Sequence, residues 1–329
     1  MAIILTDETA LAFWRRSGMT GSNLLRATPT RMTRIPAGAP SARDVRAACN
    51  DLAIGCDCLH VLVACDADRR HGTHAVEYHL LSKTLPNHSL YRIDNGLYAT
   101  SPELTFVRMS RKTSLIAITR LGYEMAGTFA RNESDMRGFS TCSPLMTTKS
   151  LGRFLNCPQA LHGFNRSKQA ARLMLDNAAS PMEAELAMML SLPNRLGGYG
   201  LPKPVLNYRL DTKGPLSKNL RRRTIVVDVA WPAKKLALEY DSDQFHTGAE
   251  KIAADSERRN DIELLGFDVQ TITNKEISSA ASMNKIAHTI ARKLGLRTRR
   301  EPDGFADRQA SLRRTLIKLR DGNWGMSEY

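Results

Sequence analysis

Two short apolar segments, "TIVVDVAW" (Thr224–Trp231) and "KLALEYD" (Lys235–Asp241), carry acids where a buried strand should have none. Charge inside a strand is costly unless something pairs with it. If Pro232–Lys235 form the loop of a hairpin, Trp231 pairs with Leu236, Ala230 with Ala237, Val229 with Leu238 and Asp228 with Glu239. Directly opposed residues on one face have Cβ atoms about 4.5–5.5 Å apart. Asp241 follows Glu239 by two and shares its face. Val227, Val229, Trp231, Leu238 and Tyr240 then point the other way, into a core. Two facing carboxylates repel, and a divalent cation between them removes the conflict. Asp228, Glu239 and Asp241 are therefore candidate metal ligands, and an all-oxygen set suits Mg²⁺ or Mn²⁺ better than zinc. A solvent-facing strand, where acids cost little, is the alternative. His246, just past the strand, is a candidate general base or water-orienting group.

The flanking sequence is α/β. Ser180 can cap a helix with Pro181 at its first position and Glu183 three residues after the cap. Glu183 either completes a capping box or joins the acidic site. Met182, Leu186, Met189 and Leu190 mark that helix's apolar side. A helix follows over "GAEKIAADSERRNDIELLG", closed by Gly266, then a strand "FDVQTIT" and a helix "SMNKIAHTIARKLG" stopped by Gly295. The order predicts a central mixed sheet flanked by helices over residues 166–329. Residues 1–165 form a separate α+β domain, joined through a helix in "RSKQAARLMLDNAAS". In that half, "LHVLVAC" predicts a strand. "SLYRIDNGLYATSPELTFVRMS" predicts a hairpin turning at Asn95-Gly96 and a helix opened by Ser101-Pro102.

Charge points to the partner. The chain carries 47 Lys+Arg against 33 Asp+Glu, a net +14. Such a field attracts polyanions, DNA first among them. Arg221, Arg222 and Arg223 and the basic tail are candidate phosphate contacts. Arg258 lies three residues after Asp255 on one helix, as a surface ion pair or as a phosphate contact. No apolar run approaches the roughly 20 residues of a membrane span. The N-terminus lacks a basic leader with an apolar core, so a cytoplasmic protein is expected. The six cysteines are scattered and form no disulfide framework. Cys56, Cys58 and His60, with Cys65, His71 and His74 nearby, lack the paired spacing of a structural zinc site, and reduced core cysteines are the expectation.

The acidic hairpin resembles the PD-(D/E)XK restriction-endonuclease-like fold, in which an Asp on one strand precedes Glu-x-Lys on the next. Glu239-Tyr240-Asp241 through His246 is most similar to the very-short-patch repair endonuclease branch, with its E-x-D-G-x-x-H strand end. Asp255, Arg258 and Gly266 match that branch's D-x-x-R and glycine, and Glu183 matches its acidic first helix. The resemblance covers Ser180 to Thr273. It implies metal-dependent DNA hydrolysis, with Asp228 and Glu239 holding the metal, Asp241 supporting, His246 assisting water, and Glu183 and Arg258 flanking. Val227 replaces the family's proline, Asp241 its lysine and Ser242 its glycine, which leaves open a non-catalytic DNA-binding regulator or antitoxin on the same scaffold, or an RNA-processing nuclease. "LTDETALAFWR", "LHVLVACDADRR", "NGLYATSPELTFVRMS" and "LGYEMAG" resemble the AbiEi-type antitoxin/regulator domain, which implies a protein partner or DNA contact for the first half.

Overall fold

Alternating apolar runs and serine-capped helices build a mixed α/β chain of two units, Met1–Met174 and Leu175–Gly322. The structure, a computed structural model, describes residues 1–18, 27–69, 75–158, 161–212, 220, 224–241, 249–297 and 302–320, and of 249–255 the backbone alone.

The first unit runs β1 (Ile3–Leu5), α1 (Asp7–Gly18), β2 (Thr28–Pro29), α2 (Ala42–Asp51), β3 (Leu59–Val63), β4 (Val76–Leu80), β5 (Leu90–Asp94), β6 (Leu97–Thr100), α3 (Pro102–Met109), α4 (Leu115–Met125), β7 (Phe129–Arg131), β8 (Phe139–Thr141), α5 (Thr148–Leu155) and α6 (Phe164–Ala171). Six strands form one sheet in the order β2-β5-β6-β1-β3-β4, and β7 pairs with β8. The expected strand at Leu59 is fully buried and lies parallel to β4, with His60 opposite Glu77. The expected hairpin turns at Gly96, whose φ is +77°. Ser101 caps α3 by accepting from the Leu104 N–H, with Pro102 at the first position. The six cysteines are free thiols.

The second unit runs α7 (Pro181–Ser191), β9 (Val205–Arg209), β10 (Val226–Trp231), β11 (Leu236–Asp241), α8 (Ala249–Leu264), β12 (Asp268–Thr273), α9 (Asn274–Ser278), α10 (Ala280–Lys293) and α11 (Phe305–Arg320). Its sheet order is β12-β11-β10-β9, with β11 and β12 parallel and the other pairs antiparallel. Ala230 and Ala237 pair across the hairpin and share a buried cluster with Ile262 of α8.

Four expectations shift. The division falls at Met174 rather than residue 165, because α6 packs into the first unit, where Ser167 Oγ donates to Ser110 Oγ at 2.9 Å. That helix ends at Ala171 and does not run through to Ser180. The apolar side assigned to α7 widens to its whole circumference, since every residue from Glu183 to Leu190 is buried. The basic tail also contributes a packed helix, α11, with Phe305, Leu312, Leu316 and Leu319 buried. Among the described residues, no helix is long and apolar enough to cross a membrane.

Candidate functional site

The hairpin forms in the expected register. Val229 pairs with Leu238, Ala230 with Ala237 and Trp231 with Leu236. A 3₁₀ turn over Pro232–Lys234 and Lys235 at φ +48° close it. Val227, Val229 and Leu238 are fully buried. Asp228 does more than face Glu239, for its Oδ2 accepts the Tyr240 N–H at 2.8 Å. A side chain thus takes a place usually filled by a backbone carbonyl, which fixes the carboxylate beside β11. On its other side, the pairs Val227–Tyr208 and Val229–Leu206 leave Asp228 opposite Asn207.

Asn207 is the residue that sequence reasoning missed. It adopts φ +45°, a conformation asparagine tolerates better than most residues. Its Nδ2 donates to Glu183 Oε2 at 2.6 Å and to the Asn177 carbonyl at 2.8 Å. A polar residue within "VLNYR", opposite the acidic strand, is the only trace of this role in the sequence. Ser180 caps the helix, but Glu183 does not complete a capping box, because its carboxylate takes the Ala179 N–H in place of the Ser180 N–H. The Glu183 N–H donates to the Ser180 hydroxyl at 3.2 Å, that hydroxyl donates to its Oε1 at 2.9 Å, and the Ala179 N–H reaches its Oε2. It is also 7 % exposed and feels Asp228.

Burial is the largest influence on all three acids. It pushes the Glu183 carboxyl up against the hydrogen bond from Ala179, with Asp228's charge adding to the rise. It pushes Asp228 up against the Tyr240 N–H and Arg258. It pushes Glu239 up to about 7, helped by Asp228 and Glu183 and opposed by Arg258. Asp228 makes both glutamates harder to ionise and Glu183 adds to the effect on Glu239, as expected of carboxylates sharing a site.

Arg258 is placed in this site by the first turns of α8 that the structure describes with side chains. One terminal nitrogen, Nη2, donates to both Glu239 oxygens, at 3.0 and 2.8 Å, and to the Val226 carbonyl. It therefore serves the acidic cluster as an internal counter-ion, and that nitrogen is not turned to an outside phosphate. Asp241 ends β11 half-buried opposite Thr273 of β12. His246, Arg221, Arg222, Arg223 and the Asp255 side chain lie outside the described residues, as do His71 and His74.

Asp228, Glu239 and Glu183 thus come together, but not as tightly as ligands around an ion. The described sets whose ligand atoms all converge within 4.8 Å are Asp7–His60–His79 and Cys58–His60–Glu77, both in the first unit. The physical reason is visible in the partners, since Glu239 turns to Arg258 and Asp228 to Tyr240.

Two curated relatives cover much of the chain. Both are described as uncharacterized proteins of Mycobacterium tuberculosis, one from strain H37Rv and one from strain CDC 1551 / Oshkosh. Each is 26% identical over 209 residues, spanning 57% of this chain and 71% of its own. No family model matches the chain. No solved structure matches it.

Proposed function

We propose that the second unit is a divalent-metal-dependent endonuclease acting on DNA in the cytoplasm, and that the first unit engages a protein partner or DNA to set its context, as in phage defence or repair. The observation that carries this reading is the crowding of Glu183, Asp228 and Glu239, in which burial raises all three carboxyls and Asp228 raises both glutamates further. Three half-buried or buried acids from α7, β10 and β11 are answered by one guanidinium, and Glu239 is left with a carboxyl at about 7. Hard oxygen donors in such excess fit Mg²⁺ or Mn²⁺. Asp228 and Glu239 would hold the ion and Asp241 would support it. Such an ion lowers the pKa of a bound water and polarises a phosphate oxygen. Within the chain, the Tyr240 N–H keeps Asp228 aimed, Asn207 and Ser180 keep Glu183 aimed, and His246 follows the strand as the group that takes a proton from water. The net charge of +14 supplies the attraction for DNA, with Arg221, Arg222 and Arg223 as phosphate contacts.

The Arg258–Glu239 pair favours a second reading. An arginine already neutralising the central acid would let the fold persist without an ion, as a non-catalytic DNA-binding regulator or antitoxin.

The test is cleavage of double-stranded, single-stranded and mismatched DNA by the full chain with Mg²⁺ or Mn²⁺, stopped by EDTA. Asp228→Asn keeps the shape and removes the charge. It is expected to lose cleavage while DNA binding keeps its steep fall with salt. Wild-type protein that binds with that salt dependence but cuts none of the three substrates decides for the regulator. Cleavage of RNA alone would move the substrate class.

A further inference from the structure

From the first unit we infer a second metal site, for a zinc-like late first-row dication, built by Asp7, His60 and His79 with Glu77 at its edge.

The argument starts from topology. His60 lies on β3 opposite Glu77 on β4, and His79 follows Glu77 by two, so all three share a sheet face. The first turn of α1 brings Asp7 and Glu8 over that face, with Asp7 held at φ +49°. Thr9 of the same turn accepts the His60 N–H at 2.8 Å, which ties the helix start to the strand. Asp7, His60 and His79 are all buried.

The distances match a coordination shell. His60 Nδ1 is 2.9 Å from His79 Nε2 and 3.4 Å from Glu77 Oε2. His79 Nε2 is 3.2 Å from Asp7 Oδ2. Ligands about 2.0–2.1 Å from a tetrahedral zinc ion stand about 3.3 Å from one another. The His60–His79 and His79–Asp7 separations are thus within about half an ångström of that spacing, and the donor atoms of Asp7, His60 and His79 all lie within 4.8 Å of one another.

The His60 Nδ1–His79 Nε2 hydrogen bond uses one proton and still leaves ring lone pairs turned toward carboxylate oxygens, an arrangement that a cation improves. A neutral imidazole has one N–H and one lone pair. If His79 carries its proton on Nε2, toward His60 and Asp7, its Nδ1 lone pair faces the Glu77 Oε1 at 3.7 Å. If the proton sits on Nδ1, His79 Nε2 presents a lone pair to the Asp7 carboxylate, and nothing bonds those two. A cation at the centre resolves both cases. His79 then gives Nε2 to the ion and Nδ1–H toward Glu77. His60 gives Nδ1 to the ion and Nε2–H toward Glu8, whose Oε2 is 3.1 Å away. Each ring would have metal on one side and a carboxylate on the other, the usual environment of a ligating histidine. Glu8 Oε2 is itself buried, and the His60 nitrogen beside it is within reach but outside hydrogen-bond geometry. Arg108 braces Asp7 from behind, Nε to Oδ1 at 3.2 Å and Nη2 to Oδ2 at 2.9 Å, and Lys112 stands 3.8 Å from Glu77. Three carboxylates thus face two cations, leaving negative charge for the ion. The Glu77 side chain is 49% exposed, which gives the ion a way in. Imidazole ligands suit zinc and its neighbours, whereas the all-oxygen set of the second unit suits harder ions.

The test is zinc content of the full chain after dialysis, read with X-ray absorption at the zinc edge. One zinc per chain with two imidazoles in its shell and no sulfur is expected, and Asp228→Asn should retain it. His79→Gln should lose it, and Glu8→Gln, a positioning change, should weaken it about 10–100-fold. Wild-type protein that holds no zinc overturns the inference, and so does a His79→Gln protein that keeps it. The absorption spectrum is taken on wild type, so misfolding of a variant cannot hide the answer. Sulfur in the shell would place the ion on Cys58 and overturn the ligand set. The second-unit proposal is untouched by any of these results, since its readout is DNA cleavage.

Discussion

Raising the pH from 4.5 to 7 in the absence of divalent ions is expected to cost the second unit about 3 kcal/mol through Glu239 alone. The folded carboxyl titrates at about 7, against an ordinary value of 4.5. Between those values the folded chain binds the proton and the unfolded chain does not. The stabilising effect of that proton is therefore complete below the unfolded value and is lost as pH rises through the folded one. Glu183 and Asp228 are raised too, and add slopes of the same sign. His79 runs the other way. Burial lowers it to about 3, so protonating the unfolded chain below the usual 6.5 destabilises the first unit as pH falls. Wild type must therefore be compared with Glu239→Gln in urea melts from pH 4.5 to 8. The wild-type minus variant difference should fall by about 3 kcal/mol across that window. Mg²⁺ at a hundredfold excess over its Kd should then return about 2.7 kcal/mol to wild type at pH 8 and none to the variant. Parallel curves for the two proteins would mean that Glu239 ionises freely, and the shared acidic site would fall with it.

Much of this arrangement is legible in the amino-acid sequence. Alternation places Val227, Val229 and Leu238 inside, the four-residue loop sets the register, and Ser101 and Ser180 announce their helices. These features depend on neighbours close in sequence. The pairing of Arg258 with Glu239 is different. Nineteen residues separate them, and whether an arginine turns to an inner carboxylate or an outer phosphate depends on where α8 lies on the sheet. The histidine cluster is hidden for a similar reason. His60 and His79 meet only because β3 and β4 run parallel after a crossover, and that register leaves no local mark. Asn207 is unreadable because its role rests on a positive φ and on two partners from distant segments. The tail misleads through its charge. The basic residues Arg308, Arg313, Arg314, Lys318 and Arg320 draw attention from the apolar spacing of Phe305, Leu312, Leu316 and Leu319.

That last helix yields the second large effect, because its final arginine pairs with a buried acid. Arg320 forms a two-point ion pair with Glu185 of α7, with Nε donating to Oε1 at 3.0 Å and Nη2 to Oε2. The Glu185 side chain is 2% exposed, so losing the partner leaves a buried, uncompensated carboxylate. Breaking a fully buried pair costs about 3–5 kcal/mol. Arg320 is itself 37% exposed, and water can partly replace it, so Arg320→Ala should cost about 2–3 kcal/mol. Arg314, exposed on the same helix, should cost under about 0.5 kcal/mol when changed to alanine. The contact between α11 and the rest of the unit is close elsewhere as well. Gly197 sits where an added Cβ would stand 2.3 Å from the Arg308 carbonyl oxygen. The double change Glu185→Leu with Arg320→Leu separates charge from packing. It removes the buried acid and should recover most of the loss, since apolar replacements of buried pairs are often neutral or better. Urea melts of the four proteins decide the matter. If Arg320→Ala is as mild as Arg314→Ala, the ion pair does not clasp α11, and the tail is a basic arm whose arginines are free to contact phosphate.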